Sequence, residues 1–432
     1  MKHRGEILAI ALPAIVSNIT TPLLGIVDVA VTGHIGAALY IGAIAVGGAM
    51  FNMLYWLFNF LRMGTTGFTA QAYGAGDKRR LDLLLFRSLA VGLSVGVLLI
   101  ILSQPLGKTI LAFMDADDDT LSLASRYFNI CIWGAPAVLM TYALSGWFLG
   151  MQNSKAQMWV AITTNVVNII VSLSLVFVAG WKIEGVATGT LSAQWIGFAV
   201  GFVLLVVKYK PAVPALEEIF KLRELALFFR VNGDIFLRTA CLVTVTLWFT
   251  HAGALAGTDT LAANALLMQL FMLFSFFMDG FAFSGEALAG KYTGRADTKS
   301  LRSVVRSIML VGLWCAVAFS IVYALAGEWI IGLLAKDRGV VALACSYLPW
   351  AVAIPLCGFM AFVWDGIFVG LVRTRAMLAS MSIALLVFFI IYFLFHPKMA
   401  NNGLWLAFDA YLLTRGIVLW ALFRIDNKQV NV

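Results

Sequence analysis

Long apolar runs, each broken by a short polar connection, recur along all 432 residues of the chain. The hydrocarbon core of a bilayer takes about 20 helical residues. By that measure twelve runs qualify, near 7–33, 41–73, 83–113, 122–149, 157–179, 185–207, 225–255, 261–290, 302–334, 340–369, 376–395 and 403–424. The second, eighth and ninth exceed what a bilayer needs and are expected to extend beyond it. The pattern predicts an all-α integral membrane protein with twelve transmembrane helices. The most polar connection, Lys208 to Arg223, lies near the middle. It divides the chain into an N-lobe, 1–207, a cytoplasmic linker, 208–223, and a C-lobe, 224–432, with six spans in each lobe.

The two halves repeat. Gln71-Ala-Tyr-Gly74-Ala-Gly-Asp77 aligns with Lys291-Tyr-Thr-Gly294-Arg-Ala-Asp297 at a shift of 220 residues. The same shift sets Ser145-Gly-Trp-Phe-Leu-Gly150 on Asp365-Gly-Ile-Phe-Val-Gly370. An even number of spans per half makes this a parallel repeat, with its pseudo-two-fold axis along the membrane normal. Such repeats favour a central cavity between two lobes and an alternating-access motion.

Composition narrows the class. With 62% hydrophobic and 12% charged residues the chain is no ordinary soluble domain. Its net charge of +8 comes from basic residues scattered in the connections, so it reads as a topology signal and not as a nucleic-acid face. Lys78 to Arg80, Lys155, the linker, Lys291, Arg295, Arg373, Arg375 and Arg424 fall on one side; Asp117, Asp118 and Asp119 fall on the other. The positive-inside rule places both termini in the cytoplasm of a multi-pass inner (plasma) membrane protein. The N-terminus runs straight into a full-length span, so a retained first helix is expected and not a cleaved signal. Five cysteines in apolar runs read as packing residues, and four histidines show no metal-ligand spacing. Nucleophile-elbow, zinc-protease, phosphate-loop and dinucleotide motifs are absent, so no enzyme activity and no cofactor is expected, and energy must come from an ion gradient.

Against this background the intramembrane polar residues stand out. Asp28 lies deep in the first span, where an ionised carboxylate facing lipid is costly, so it should face protein or water and serve a function. Pro22, six residues earlier, removes a helical N–H. Asn165, Asn168 and Ser172 follow i, i+3, i+7 spacing on one helix face, and Thr188 and Thr190 open the next span. With Asp28 they would form a buried site for a proton or small cation; hydrogen bonding between helices is the plainer alternative. The C-lobe holds Arg238, Asp279, Glu286, Asp365, Asp409 and Arg415. A structural pairing of Arg238 with Asp279 or Glu286 and a substrate or proton pathway weigh equally there. Met50, Met53 and the aromatic residues around them suit either core packing or a cavity for apolar cations.

Val27-Asp28-Val-Ala-Val-Thr-Gly33 and Thr69-Ala-Gln-Ala-Tyr-Gly-Ala-Gly-Asp77 resemble the multidrug and toxic compound extrusion (MATE) transporters. Phe60-Leu-Arg-Met-Gly-Thr-Thr-Gly67, Gly233-Asp-Ile-Phe-Leu-Arg238, Met278-Asp-Gly-Phe-Ala-Phe-Ser-Gly-Glu286 and Trp364-Asp-Gly-Ile-Phe-Val-Gly370 are similar to the DinF branch. The resemblance spans both halves. It implies a twelve-helix, two-lobe antiporter that exports cationic or amphipathic small molecules in exchange for H⁺ or Na⁺; a monomer in the lipid bilayer is expected. Asp28 stands at the family's first-helix aspartate, Pro13 at the proline tied to bending of that helix, and Asn168 and Thr190 at polar ligands of the same site. Asp365 stands at a C-lobe carboxylate. Where many members carry a second N-lobe aspartate this chain has Ser172, which favours H⁺ over Na⁺. A major facilitator drug antiporter and a lipid-precursor flippase of the same superfamily are the rival readings.

Overall fold

In the computed structural model the described backbone comprises residues 3–33, 38–112, 114 and 117–429; side chains are described for 3–20, 39–112, 114 and 117–425. Among these residues the chain is almost wholly helical. The first half holds α1 (Arg4–Gly33), α2 (Ala38–Leu57), α3 (Phe60–Ala75), α4 (Lys78–Ile101), α5 (Ser103–Ala112), α6 (Asp118–Cys131), α7 (Ala135–Gly150), α8 (Ser154–Leu173) and α9 (Ile183–Tyr209). A short α10 (Leu216–Ile219) leads to α11 (Leu222–Leu255), α12 (Thr258–Gly294), α13 (Thr298–Leu334), α14 (Arg338–Gly370), α15 (Thr374–Met399) and α16 (Asn401–Gln429). Eleven helical stretches among the described residues are long and apolar enough to cross a bilayer, and the 30-residue α1 adds the twelfth. The fold is thus an all-α membrane bundle of twelve spans in two six-span lobes. At 37 residues each, α12 and α13 reach about 55 Å, well past the hydrocarbon core. The long second run is not one helix: Phe58 and Asn59 form a tight turn between α2 and α3.

The chain divides into two compact units, Leu12–Phe228 and Met1–Ala11 with Phe229–Val432. The divisions fall inside α1 and α11. At the start of α1, Lys291 Nζ reaches Glu6 Oε2 at 3.1 Å, Tyr292 donates to the same carboxylate, and Ser284 Oγ donates to the Ile7 carbonyl. In the other unit α4 holds the connection before α11. Arg87, 5% exposed, donates to the Glu218 and Ile219 carbonyls, Asp82 accepts from the Ala212 N–H, and Arg79 pairs with Glu218. Arg87 and Asp82 thus satisfy backbone groups of the linker.

The 220-residue repeat has a packing cause. Helices associate in lipid through small residues that let backbones approach. In one unit a Cβ on Gly146 would collide with the Arg62 carbonyl, and one on Gly150 would lie 2.9 Å from the Ala70 nitrogen. In the other, a Cβ on Gly366 would collide with the Ala282 carbonyl, and one on Gly370 would lie 2.8 Å from the Gly290 nitrogen. Each contact sits 220 positions from its counterpart. Both halves also cap the following helix alike: Asp77 accepts from the Arg80 N–H and Asp297 from the Ser300 N–H.

One substitution within the repeat is strained. Gly76 adopts φ +72° before the first cap, whereas Ala296 holds φ +55° at the equivalent place. A left-handed alanine costs about 1 kcal/mol relative to glycine. Ala296→Gly is therefore expected to raise the melting temperature in detergent. Next to it, the side-chain and backbone hydrogen bonds from Ser300 hold the Asp297 carboxyl below the ordinary range. A lowered native pKa gives stability at neutral pH that is lost as pH falls through the native value. Asp297→Ala should thus lower the melting temperature at pH 7, with the difference closing at strongly acid pH.

Candidate functional site

In the N-terminal unit the polar residues of α8 and α9 meet. Asn168, 1% exposed, donates from Nδ2 to Thr190 Oγ1 at 3.0 Å. Thr190 in turn donates to the Val186 carbonyl at 3.1 Å, and the Tyr127 hydroxyl lies 3.5 Å from its Oγ1. Close helix approach sets the geometry. Gly189 brings the α9 backbone against Ser172, and Gly47 of α2 leaves the room that the Tyr127 ring occupies. Ser172 is fully enclosed. A five-residue π-helical stretch, Ser174–Val178, follows α8 one residue beyond Leu173; such interruptions recur at functional sites.

The cluster is under-satisfied. Asn168 Oδ1, Ser172 Oγ and the Tyr55 hydroxyl are buried without a hydrogen-bond partner, as is Asn165 Nδ2. An unpaired buried polar group costs about 1–3 kcal/mol, so several together are a standing cost to the fold. Tyr127 did not emerge from the sequence, because an aromatic residue in an apolar run is ordinary, and Gly47, against which its ring packs, is its one signal; Tyr55 belongs to the aromatic residues around Met50 and Met53 that the sequence did point to. Asp28 and Pro22 lie outside the described side chains. Pro13 is buried within α1, which continues through it without a break.

In the C-terminal unit three helices converge on one carboxylate. Asp365 Oδ2 of α14 accepts from Nη2 of Arg238 on α11 and from Nη2 of Arg415 on α16. All three residues are at most 8% exposed. This corrects the expected pairing of Arg238 with Asp279 or Glu286. Both carboxylates are on α12, whereas α14, against which α16 packs, delivers Asp365 between the two guanidiniums. Arg415 also stacks over the Tyr411 ring at 5.3 Å, and Ser380 donates to its carbonyl. Glu286 is 2% exposed near the end of α12. Met50 is fully enclosed within its unit, while Met53, three residues on, is 59% exposed. Among the described residues no three His, Cys, Asp or Glu side chains converge as metal ligands, and all five cysteines are free.

Comparison with known proteins gives the family. The MatE family profile matches residues 13–173 and 235–394, one match in each half. The DNA damage-inducible protein F of Escherichia coli is 37% identical over 418 residues, covering 96% of this chain and 91% of that protein. The multidrug export protein MepA of Staphylococcus aureus is 22% identical over 363 residues, 82% of this chain and 79% of its own. Among solved structures, an outward-facing multidrug resistance MATE transporter of the MOP superfamily superposes with a TM-score of 0.85 at 18% identity, over 98% of this chain and 96% of the other. With both halves matched and the relationship to the E. coli protein spanning nearly the whole length, the chain is a membrane transporter of the MatE (multidrug and toxic compound extrusion) family, in its DinF branch.

Proposed function

We propose that this protein is a secondary active exporter that exchanges cationic and amphipathic small molecules for protons, with Asp28 as the coupling carboxylate. The observation that carries the reading is the α8–α9 cluster, in which Asn168 and Thr190 are joined at 3.0 Å while Asn168 Oδ1 and Ser172 Oγ lack partners. A protonated carboxyl donates one hydrogen bond and an ionised one donates none. Asn168 Oδ1 is an acceptor that lacks a donor, so protonated Asp28 would bind it and ionised Asp28 would let it go. The proton thereby acquires a different free energy in the two conformations, as coupling requires. A neutral serine at 172 leaves Asp28 the one carboxylate of this set, which suits a proton better than a sodium ion seeking several oxygen ligands.

In the proposed cycle the outward-facing protein takes up a proton at Asp28, α1 bends near Pro13 or Pro22, and the compound leaves. The lobes then alternate about the 208–223 connection, the proton departs to the cytoplasm, and a new substrate binds. The relatives named for multidrug export support the substrate class. We place the protein as a monomer in the inner (plasma) membrane with both termini cytoplasmic, and with Asp279, Glu286 and Met53 on the substrate path.

Linkage supplies the test. In weakly buffered detergent solution, adding a cationic dye to the purified protein should release about one proton per dye bound. Asp28→Asn should release none, and sodium should have no effect. Dye binding that requires sodium and releases no proton would overturn the proton assignment.

A further inference from the structure

Within the N-terminal unit a cavity of about 550 Å³ opens between α3, the start of α4 and the connection into α11. That is within the roughly 300–1,000 Å³ of small-molecule sites. Its walls are of two kinds. Phe68 and Phe228, whose rings stack at 6.5 Å, form an apolar side with Leu83 and Leu227. The polar side carries Arg79, Arg80, Arg87 and Lys221 against the carboxylates of Asp77, Glu218 and Glu224. All three carboxylates are engaged: Asp77 caps α4 through the Arg80 N–H, Glu218 pairs with Arg79, and Glu224 lies 3.6 Å from Arg87. Among the described residues no carboxylate pairs with the side chain of Arg80 or Lys221. The lining thus carries one surplus positive charge with every acid counted. The surroundings have the same sign, since residues 77–87 and 208–224 hold eight basic and five acidic side chains.

The connection beside the cavity is apolar on its outer face. Val213, Leu216, Phe220 and Leu222 are 50–84% exposed, while Ile219 turns inward and is buried. Lys210, Lys221 and Arg223 are interspersed among them. Large apolar side chains set among basic ones, between two bilayer-crossing helices, suit the membrane interface. There the apolar groups enter the acyl boundary and the cations reach anionic head groups.

We propose that this cavity binds the head group of an anionic phospholipid. The phosphate sits against Arg80 and Lys221, where its single negative charge balances the surplus of the lining. The chains leave past Leu83 and Leu227, and the connection lies in the interface beside them. Bound there, the lipid braces the connection against α4. A zwitterionic lipid would bring its own ammonium group to the same cations, and a free phosphate lacks the chains that the apolar side receives.

The test is competition binding to the full-length protein in dodecylmaltoside, with a phosphatidylglycerol that carries a fluorophore on one chain as the probe. Unlabelled phosphatidylglycerol should displace it about tenfold more effectively than phosphatidylcholine, a modest value for two cations beside one anionic head group. Arg80→Gln combined with Lys221→Gln removes exposed side chains that pair with no carboxylate, so the variant should fold. It should bring the two lipids to within about twofold. Lys336→Gln combined with Lys398→Gln removes the same charge from exposed positions elsewhere and should leave the preference intact. Glycerol 3-phosphate, a head group without chains, should not displace the probe even in large excess. Equal displacement by the two lipids would overturn the proposal, as would a preference that survives the Arg80 and Lys221 changes or is lost equally with the Lys336 and Lys398 changes. Displacement by glycerol 3-phosphate would also overturn it, by revealing a site for free phosphate. No gradient or dye enters this experiment, so either result leaves the exporter reading standing.

Discussion

Asp28→Asn is expected to slow pH-driven export of a cationic dye by about two orders of magnitude, the usual cost of losing a positioned proton carrier. Asparagine matches the shape of a protonated aspartate but cannot give up its proton. The variant should therefore fold, bind dye and exchange it passively down its own gradient. What it should lose is the dependence of rate on the imposed pH difference. The argument starts from sequence: residue 28 lies within the 30-residue α1 with apolar residues on both sides of it. It gains a mechanism from the unmet acceptor on Asn168. Dye flux measured in vesicles at several pH differences decides it. A variant whose flux still rises with the pH difference as the wild type's does would remove Asp28 from the coupling.

The second large effect is on stability. Asp365→Ala would leave Arg238 and Arg415 facing each other, at 7% and 4% exposure, with no counter-ion. Removing one partner of a buried ion pair costs about 3–5 kcal/mol, a large share of the roughly 5–15 kcal/mol that holds a typical domain folded. The variant should fail to accumulate, or should melt far below the wild type in detergent. Replacing all three groups together, with Arg238→Met and Arg415→Met added, should restore much of the loss, because no unpaired charge remains. An Asp365→Ala protein that melts within a degree or two of the wild type would mean that the triad is hydrated and not buried as described.

Most of the architecture was legible in the sequence, and the reason is lipid. A bilayer fixes span length, so twelve runs could be counted without any knowledge of packing. The repeat was legible because close helix approach demands glycine: Gly146 and Gly366 each press on a carbonyl 220 residues from the other's. Asn168 and Thr190 were legible as a pair because polar residues in apolar helices need partners, and theirs lay on the adjoining span. The arginine partners were not. Arg238 meets a carboxylate 127 residues away in sequence while two others, Asp279 and Glu286, stand on a nearer helix. Only three-dimensional packing chooses among them. Arg87 gave no signal for a similar reason, since nothing in the sequence ties a basic residue near a helix start to the carbonyls of Glu218 and Ile219, more than 130 positions away. The division of the two units inside α1 and α11 follows packing and leaves no change of composition to read.

The central claim is that a proton gradient alone drives export. Its most direct test is efflux of a fluorescent cationic dye from proteoliposomes holding the purified wild-type protein, under an imposed pH difference without sodium and then under an imposed sodium difference at equal pH. The account predicts rapid efflux in the first case and only passive leak in the second. Efflux driven by sodium and indifferent to pH would contradict it, and would mean that Asn168, Ser172 and Thr190 complete a cation site around Asp28.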